Sequence, residues 1–228
     1  MKKDYTAVVL LSGGVDSTTC LAYAVEIFGP DRVLALVLYY GQKHAKELES
    51  ARKVTEYYGV DCIVKEVTGA FSESDCTLLN GRGAIARGSY VAQQKGQNKP
   101  VETYVPFRNG LFLSYAAAIA ASVHAEVIYY GAHADDAAGA AYPDCSPEFE
   151  TAMCEAIFEG TGRKVVVEAP LLYLNKAGVV KMGLKLGAPY HLTWSCYEGG
   201  DKPCGKCATC IDRQKAFEAN GIKDPALN

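Results

Sequence analysis

Apolar runs alternate with amphipathic stretches along the first part of the chain. The pattern predicts strands at residues 6–11, 33–40 and 60–67, and helices at 17–29 and 43–59. Continuous apolar strands that are separated by helices are typical of a parallel sheet covered on both faces. We therefore predict an α/β fold, with a Rossmann-like parallel sheet and helices on both of its faces.

The alternation resumes after a long irregular stretch at residues 69–107. The later predicted elements are a helix at 109–123 capped by Asn109, a strand at 126–131, a helix at 147–160 capped by Ser146, a strand at 164–170, a helix at 175–187 and a last helix near 212–221. Because a connection of that length is seldom a plain loop, we predict that 69–107 is a lid-like insertion. The pattern places an α/β domain at 1–190 and a C-terminal appendage at 191–228.

Composition and charge narrow the range of functions. Of 228 residues, 49% are hydrophobic and 21% are charged, and the formal net charge is −3. General nucleic-acid binders are normally basic, so we expect no direct contact with nucleic acid. No apolar run approaches the roughly 20 residues of a membrane span, and the first residues lack the pattern of a signal peptide. We therefore expect a cytoplasmic protein without a membrane partner.

The stretch Ser12-Gly-Gly-Val-Asp-Ser17 follows the first predicted strand directly. In open parallel sheets, ligands gather at the carboxyl ends of the strands, and the first strand-to-helix turn is the usual phosphate site. Gly13 and Gly14 would let the backbone approach an anion. Ser12, Ser17 and Thr18 would donate hydrogen bonds beside the amides of the helix N-terminus. A tight turn capped by serine explains the same residues, so the loop alone leaves both interpretations open.

Four of the nine cysteines lie within fifteen residues, at Cys196, Cys204, Cys207 and Cys210. Four thiolates can surround Zn²⁺ as a tetrahedron, and a site with no open position serves structure, not catalysis. The spacing is also similar to that of iron–sulfur proteins, although Gln214 stands where a further cysteine would fall. Disulfides are a third interpretation, but they are rare in cytosolic proteins. We predict a structural zinc site.

The pattern Ser-Gly-Gly-x-Asp-Ser after a first buried strand resembles the pyrophosphate loop of the N-type ATP pyrophosphatases. In that family the loop holds the β- and γ-phosphates of ATP while a substrate oxygen attacks the α-phosphate. The products are an adenylate and pyrophosphate. The resemblance implies that ATP is bound by Leu11, Ser12, Gly13, Gly14, Val15, Asp16, Ser17, Thr18, Thr19, Cys20 and Leu21. It also implies catalytic roles for Ser12 and Asp16, with Asp16 positioning Mg²⁺.

Longer stretches point to one branch of this group. They are YYGQKHAKELESA at 39–51, YVPFRNGLFLSYAAAIA at 104–120, YPDCSPEF at 142–149, PLLYLNKAGVVKMGLKLGAP at 170–189 and TWSCYEGGDKPCGKCATCIDRQKAF at 193–217. Together they resemble the 7-cyano-7-deazaguanine synthase family. The resemblance implies an ATP-dependent ligase that converts 7-carboxy-7-deazaguanine and ammonium into the 7-cyano base through adenylated acid and amide intermediates. It also suggests a homodimer.

The resemblance implies roles for residues outside the loop. Lys176 matches a lysine of the family and is the first candidate phosphate partner, with Arg108 second, whereas surface exposure is the ordinary explanation of a lone lysine. Asp136 and Asp144 are candidates for the edge of the guanine-like base, where a carboxylate accepts two protons. Asp144 is equally explained as a turn residue before the next helix cap. His44 is a candidate acid–base or adenine-side group, or a structural histidine at a helix start.

Three positions depart from the usual pattern of that family. Phe107 stands where glycine commonly precedes the Arg-Asn pair, His133 where asparagine or cysteine is common, and Ser146 where arginine is common. Other interpretations also stay open. They are a related ligase that stops at the amide, an ATP-dependent tRNA-modifying enzyme, an ATP-binding regulator and a zinc-ribbon adaptor. The chain shows no glutaminase-like pattern of cysteine and histidine, so free ammonium is the expected nitrogen source.

Overall fold

The computed structural model describes residues 3–43, 46–94, 96–97 and 99–227. Its strands are β1 Ala7–Leu10, β2 Val33–Tyr39, β3 Asp61–Glu66, β4 Val127–Tyr129 and β5 Val166–Glu168. They form one parallel sheet in the order β3-β2-β1-β4-β5. Each strand lies inside a predicted range, and the Rossmann-like sheet is confirmed.

Helices connect the strands and cover the sheet. They are α1 Val15–Phe28, α2 Lys46–Tyr58, α3 Tyr90–Gln94, α4 Arg108–Val123, α5 Ala134–Ala137, α6 Pro147–Gly160, α7 Lys176–Lys185 and α8 Ala208–Ala219. Short 3-10 turns lie at Pro30–Arg32, Thr68–Phe71, Ala138–Ala140, Pro143–Cys145, Tyr190–Leu192 and Pro225–Leu227. Within the described part of the chain, no helix has both the length and the apolar character to cross a membrane.

The two faces of the sheet bury different residues, because successive side chains of a strand point to opposite sides. One face packs on α1, α2, α7 and α8, through Val9, Ala35, Tyr129, Leu21, Val54, Val179 and Phe217. The other face packs on α4 and α6, through Val8, Leu36, Ile128, Leu113 and Ile157. Both faces are therefore covered, as the continuous apolar strands predict. β3 forms one edge, and most of its residues are exposed.

Helix ends show where the sequence-based predictions hold and where they fail. Ser146 caps α6 as predicted, since its hydroxyl accepts the Phe149 amide at 3.1 Å. The prediction of Asn109 as the cap of α4 is wrong: the helix begins at Arg108, and another residue accepts the Asn109 amide. The last helix begins at Ala208, four residues before the predicted start, and Cys210 therefore lies on its first turn.

The long stretch at 69–107 packs on the C-terminal segment. Phe71, Leu78 and Val105 form a third apolar cluster together with Cys196 and Cys207. The Gly88 amide also donates to the Lys206 carbonyl at 3.0 Å. This stretch and the cysteine-containing segment therefore support each other above the carboxyl ends of the strands.

A buried ion pair fastens the last helix. Arg213 donates to both carboxylate oxygens of Asp224, at 2.6 and 2.9 Å, and both side chains are nearly inaccessible to water. The same guanidinium donates to the Tyr190 carbonyl at 3.1 Å and to Ser195 Oγ at 3.1 Å. These bonds fix the chain between α7 and α8, which lies beside the turn that follows β1.

Gly13 allows that turn to lie directly against α2. Its φ of +83° is in the left-handed region, and a Cβ there would lie 2.5 Å from the Ala51 nitrogen and 2.6 Å from the Glu47 carbonyl oxygen. Real Cβ atoms do not approach backbone atoms so closely. The glycine therefore satisfies two constraints at once, its backbone conformation and its contact with the helix.

We predict that Gly13→Ala destabilises the protein through both constraints. The left-handed conformation costs about 1–2 kcal/mol for alanine, and forcing a methyl group against α2 adds about 1–3 kcal/mol. Gly59→Ala is the matched control, because Gly59 has a φ of +66° and open space around its Cβ position. Urea unfolding measures both variants. Equal losses in the two variants would contradict the close contact with α2.

Candidate active site

A cavity of about 230 Å³ opens where β1, β2 and β4 end. It is lined by Ser12 and Asp16 after β1, by Tyr40 after β2, and by Gly131 and His133 after β4. β1 and β4 are neighbours in the sheet. The strand that follows β1 is added on one side of this pair, and the strand that follows β4 is added on the other side. This is the topological switch point, where open α/β sheets bind their ligands.

Residues 12–17 form a compact turn at this edge. The Ser12 amide donates to Ser17 Oγ at 3.1 Å, and the two hydroxyl oxygens lie 3.0 Å apart. Gly14 is the N-cap of α1, and it offers no side chain to the first amides of the helix. These amides are left for a ligand, and the helix dipole favours an anion there.

The predicted ATP-binding residues do not all line the cavity, and Gly13 lies against α2 instead. Those that line the cavity are Leu11, Ser12, Gly14, Val15, Asp16 and Ser17. Thr19, Cys20 and Leu21 turn into the core, where Thr19 Oγ1 lies 2.7 Å from the Tyr190 hydroxyl. Thr18 Oγ1 is buried without a hydrogen-bond partner among the described residues. The cavity is thus lined by the first part of the predicted segment.

Asp16 lies in a cluster of charged and polar groups. Its Oδ2 is 2.5 Å from Lys176 Nζ. His133 Nε2 lies 3.2 Å from Lys176 Nζ and 3.2 Å from Asp136 Oδ2. The structure therefore brings together three predicted site residues, Asp16, Lys176 and Asp136, and adds His133 to them.

The Asp16 carboxyl has the properties of a cation ligand. Burial raises its pKa, but Lys176 and His133 outweigh this effect and hold the pKa below its usual value. Its Oδ1 is buried and has no hydrogen-bond partner in the described part of the chain. An ionised carboxylate with an unused oxygen suits Mg²⁺, which prefers oxygen ligands. The residues present therefore fit a magnesium ion.

Lys176 is positioned by the first turn of α7. The Asn175 side chain caps this helix by accepting the Gly178 amide at 2.9 Å. Asp135, in the segment after β4, accepts the Lys176 amide at 2.7 Å. Only 18% of the Lys176 side chain is exposed, so the ordinary explanation of a solvated surface lysine does not apply.

Arg108 supplies a second cation to the cavity. It is the first residue of α4, and its Nη1 donates to the Tyr40 hydroxyl at 3.1 Å. The guanidinium carbon lies 5.4 Å from the centre of the Tyr40 ring. Both residues line the cavity, so the guanidinium and the N-terminus of its helix add positive potential there.

Asp144 is not among the described residues that line the cavity. Its Oδ2 accepts the Asn109 amide at 2.8 Å, and its carbonyl oxygen accepts Asn109 Nδ2 at 2.9 Å. It therefore caps α4 from a distant part of the sequence, which is the role predicted for Asn109. Of the two carboxylates predicted to meet a base, only Asp136 lines the cavity. His44 lies outside the described residues.

Three tyrosines from separate segments close one side of the cavity. The hydroxyl oxygens of Tyr90 and Tyr197 lie 2.9 Å apart, and those of Tyr142 and Tyr197 lie 3.4 Å apart. The rings of Tyr90 and Tyr142 pack edge to face at 5.5 Å. Thr103 Oγ1 is 2.8 Å from the Tyr142 hydroxyl. This hydroxyl cluster joins the 69–107 stretch to the segment after β4 and to the cysteine-containing segment.

Sequence reasoning assigns no role to several residues of the cavity wall, including Glu47, Asp212 and the tyrosines, and it notes His133 only as a departure from the family pattern. Glu47 adjoins the apolar stripe of α2, on which Ala51 and Val54 are fully buried, and this position was a signal that it faces inward. The tyrosines come from three distant segments, and no local pattern indicates that they meet.

The four clustered cysteines lie close enough together to bind one metal ion. Their sulfur atoms are all within 4.8 Å of one another. The amides of Cys204 and Cys207 point at sulfur atoms, at 3.3 Å in both cases. Such amides stabilise thiolates, so the residues present fit Zn²⁺ in a closed tetrahedral site. All nine cysteines are unpaired.

Comparisons with known proteins agree with this site. The family model described as "Queuosine biosynthesis protein QueC" matches residues 6–221. Proteins named 7-cyano-7-deazaguanine synthase are similar over most of their length. That of Archaeoglobus fulgidus is 42% identical over 97% of this chain and 90% of its own. That of Oceanobacillus iheyensis is 42% identical over 96% of both chains. This chain therefore belongs to the QueC family of queuosine biosynthesis proteins.

Proposed function

We propose that this protein uses ATP to convert 7-carboxy-7-deazaguanine and ammonium into 7-cyano-7-deazaguanine. The observation that carries the proposal is the contact of Lys176 with Asp16 beside the uncapped N-terminus of α1. It combines an anion site with a fixed cation and a candidate magnesium ligand at the switch point of the sheet. Family membership adds the substrate, because the relatives are named for this product.

In the first step, the carboxylate of the substrate attacks the α-phosphorus of ATP, and pyrophosphate leaves. The amides of α1 and the hydroxyls of Ser12 and Ser17 would hold the leaving pyrophosphate, while Lys176 compensates its charge. Donors that are already in place need no rearrangement when charge develops, so they lower the barrier efficiently. Asp16 would hold Mg²⁺, which supplies further neutralisation of the phosphate oxygens.

In the second step, ammonia displaces AMP from the adenylated acid and gives the amide. An amide oxygen is itself a poor leaving group at neutral pH, so the nitrile requires a second adenylation of that same oxygen. The adenylates must be protected from water, and the tyrosine hydroxyl cluster closes the cavity on one side. The same loop would serve both activations, since the amide keeps the oxygen where the acid had it.

We also propose that Cys196, Cys204, Cys207 and Cys210 bind a structural Zn²⁺. Two of the cysteines, Cys196 and Cys210, directly follow residues that line the cavity, Ser195 and Thr209. Thr209, between two of these cysteines, donates to the Ser195 carbonyl at 2.7 Å, and both residues line the cavity. The metal would therefore hold one wall of the active site in place without taking part in the reaction.

The remaining proposals concern surroundings and assembly. Nine unpaired cysteines suit a reducing compartment, so we place the protein in the cytoplasm. We propose that the protein is a homodimer. We also propose that it does not contact nucleic acid directly, because its formal net charge is −3. Light scattering tests the dimer, and a monomer at micromolar concentration would contradict it.

We predict that Asp16→Asn lowers kcat/KM for ATP by about 100-fold or more, because electrostatic groups of this kind contribute that much to the transition state. Asp31→Asn is the matched control, since the Asp31 side chain is 85% exposed at the far end of α1. Initial rates of AMP release measure both variants. Asp16→Asn with wild-type rates would mean that the loop is not the ATP site.

We predict about one zinc per chain, and loss of metal together with folded structure in Cys207→Ser, because structural zinc contributes folding energy directly. Cys62→Ser is the control, because Cys62 is exposed on the edge strand β3. Metal analysis and thermal unfolding are the measurements. Iron in place of zinc, or Cys207→Ser with unchanged metal content and stability, contradicts the structural zinc site.

We predict that mass spectrometry detects the 7-cyano base, with roughly two AMP released per nitrile, because each activation makes one poor leaving oxygen displaceable. The 7-amido base should also react, with ATP and without ammonium. A reaction that stops at the amide after one AMP would make this protein an amide synthase. In that case His133 would be the first residue to examine, because it departs from the family pattern and lies among the charged groups of the site.

A further inference from the structure

The cavity is lined by five described carboxylates, and most of them are already occupied. Asp16 pairs with Lys176, Asp136 with His133, and Asp135 accepts the Lys176 amide. Burial raises the pKa of Asp212, and Lys176 and Lys215 act in the opposite direction. Of the carboxylates without a hydrogen bond or an ion pair among the described residues, Glu47 is the one whose helix turn packs on the turn at residues 12–17.

The Glu47 carboxylate has no hydrogen bond and no ion pair in the part of the chain that the structure describes. The neighbouring lysines are directed elsewhere: Lys43 donates to the Gly83 carbonyl, and Lys46 Nζ lies 4.5 Å from the centre of the Trp194 ring. Its charged neighbour is Arg108, which itself donates to Tyr40. A carboxylate that faces a cavity without a partner is available to a cationic ligand.

Glu47 is also near the reacting groups. It lies on the first turn of α2, and its carbonyl oxygen would be 2.6 Å from a Cβ at Gly13, so this turn packs directly on the pyrophosphate loop. Arg108 is close enough to act on the Glu47 carboxyl. A substrate carboxylate that is held by Arg108 for attack on ATP would therefore have Glu47 nearby.

We propose that Glu47 binds the ammonium ion and accepts a proton from it as the nitrogen attacks the adenylated acid. This inference rests on the proposed function. The carboxylate takes one proton from ammonium, and the lone pair that this frees forms the bond to the acyl carbon. The bond from that carbon to the AMP oxygen breaks, and its electron pair leaves with AMP. The second proton passes from the nitrogen to water.

The ionisation of Glu47 suits this role. Burial raises its pKa to about 7, while Arg108 acts in the opposite direction. A general base is most effective when its pKa lies near the working pH, because it is then both ionised and able to hold the proton. In the partly desolvated cavity, the attraction between a carboxylate and a small cation is also stronger than it is in water.

Measuring the two half-reactions separately distinguishes a role of Glu47 in ammonium binding from a role in ATP binding or folding. Acid to amide consumes ammonium, whereas amide to nitrile consumes ATP alone. Glu47→Gln in the full-length, metal-loaded enzyme should lower kcat/KM for ammonium by about 100-fold or more, the usual contribution of a general base. The same variant should lose far less in the conversion of the amide to the nitrile, which takes up no ammonium, and AMP release in that half-reaction shows that the variant folds and binds ATP.

Two controls sharpen the experiment. Glu49→Gln removes the same charge from the same helix, but Glu49 is exposed and pairs with Lys53, so its ammonium kinetics should stay unchanged. Hydroxylamine is a nucleophile that is neutral near neutral pH, and it needs neither a counter-ion nor the loss of a proton before attack. Glu47→Gln should therefore still form the hydroxamate from the acid at nearly the wild-type rate.

Each other outcome overturns the inference in a recognisable way. Equal losses in both half-reactions would mean that Glu47 binds the deazaguanine substrate or stabilises the fold. A raised KM for ATP in both half-reactions would mean that Glu47 binds the nucleotide. Wild-type kinetics for ammonium would leave Glu47 without the role. A wild-type enzyme that releases no AMP with either the acid or the amide would overturn the proposed function, and this inference with it.

Discussion

The contact between Asp16 and Lys176 joins parts of the chain that are 160 residues apart. Asp16 lies in the first turn of α1, and Lys176 begins α7, whose backbone is held by Asp135 from the segment after β4. The free-energy cost of removing two charges from water is about as large as the gain from their attraction. The pair therefore fixes the positions of the two segments more than it stabilises the fold. It fixes the geometry between the turn after β1 and the segment after β4, and the rest of the site is built around that geometry.

The C-terminal segment acts on the same turn through the backbone. The Trp194 amide donates to the Gly13 carbonyl at 3.0 Å, and Arg213 holds the chain on either side of Trp194 through the Tyr190 carbonyl and Ser195 Oγ. On its other side, Gly13 lies against α2. The turn at residues 12–17 is therefore held between α2 and the cysteine-containing segment. A metal bound by the four cysteines would thus steady this turn from one side without taking part in the proposed reaction.

Much of this arrangement follows from local sequence, because strands, amphipathic helices and the loop at 12–17 are encoded by neighbouring residues. The interpretation of Asp144 was incomplete, since the cap that it provides to α4 joins residues that are distant in sequence. The stripe of α2 indicates that Glu47 faces inward, but only the fold shows that it faces the cavity near Arg108. The N-terminus of α8 lies earlier than predicted because the cysteines obscure its helical pattern. Long-range contacts therefore account for Asp144 and Glu47, and a misread local pattern accounts for α8.

The central claim is that the turn after β1 holds pyrophosphate while the substrate acid becomes adenylated. Exchange of radiolabelled pyrophosphate into ATP measures that step directly, because label enters ATP only when the adenylation reverses. We expect exchange that requires the 7-carboxy base and proceeds without ammonium. Exchange that is absent with the acid present, or the release of ADP and phosphate in its place, would contradict the claim.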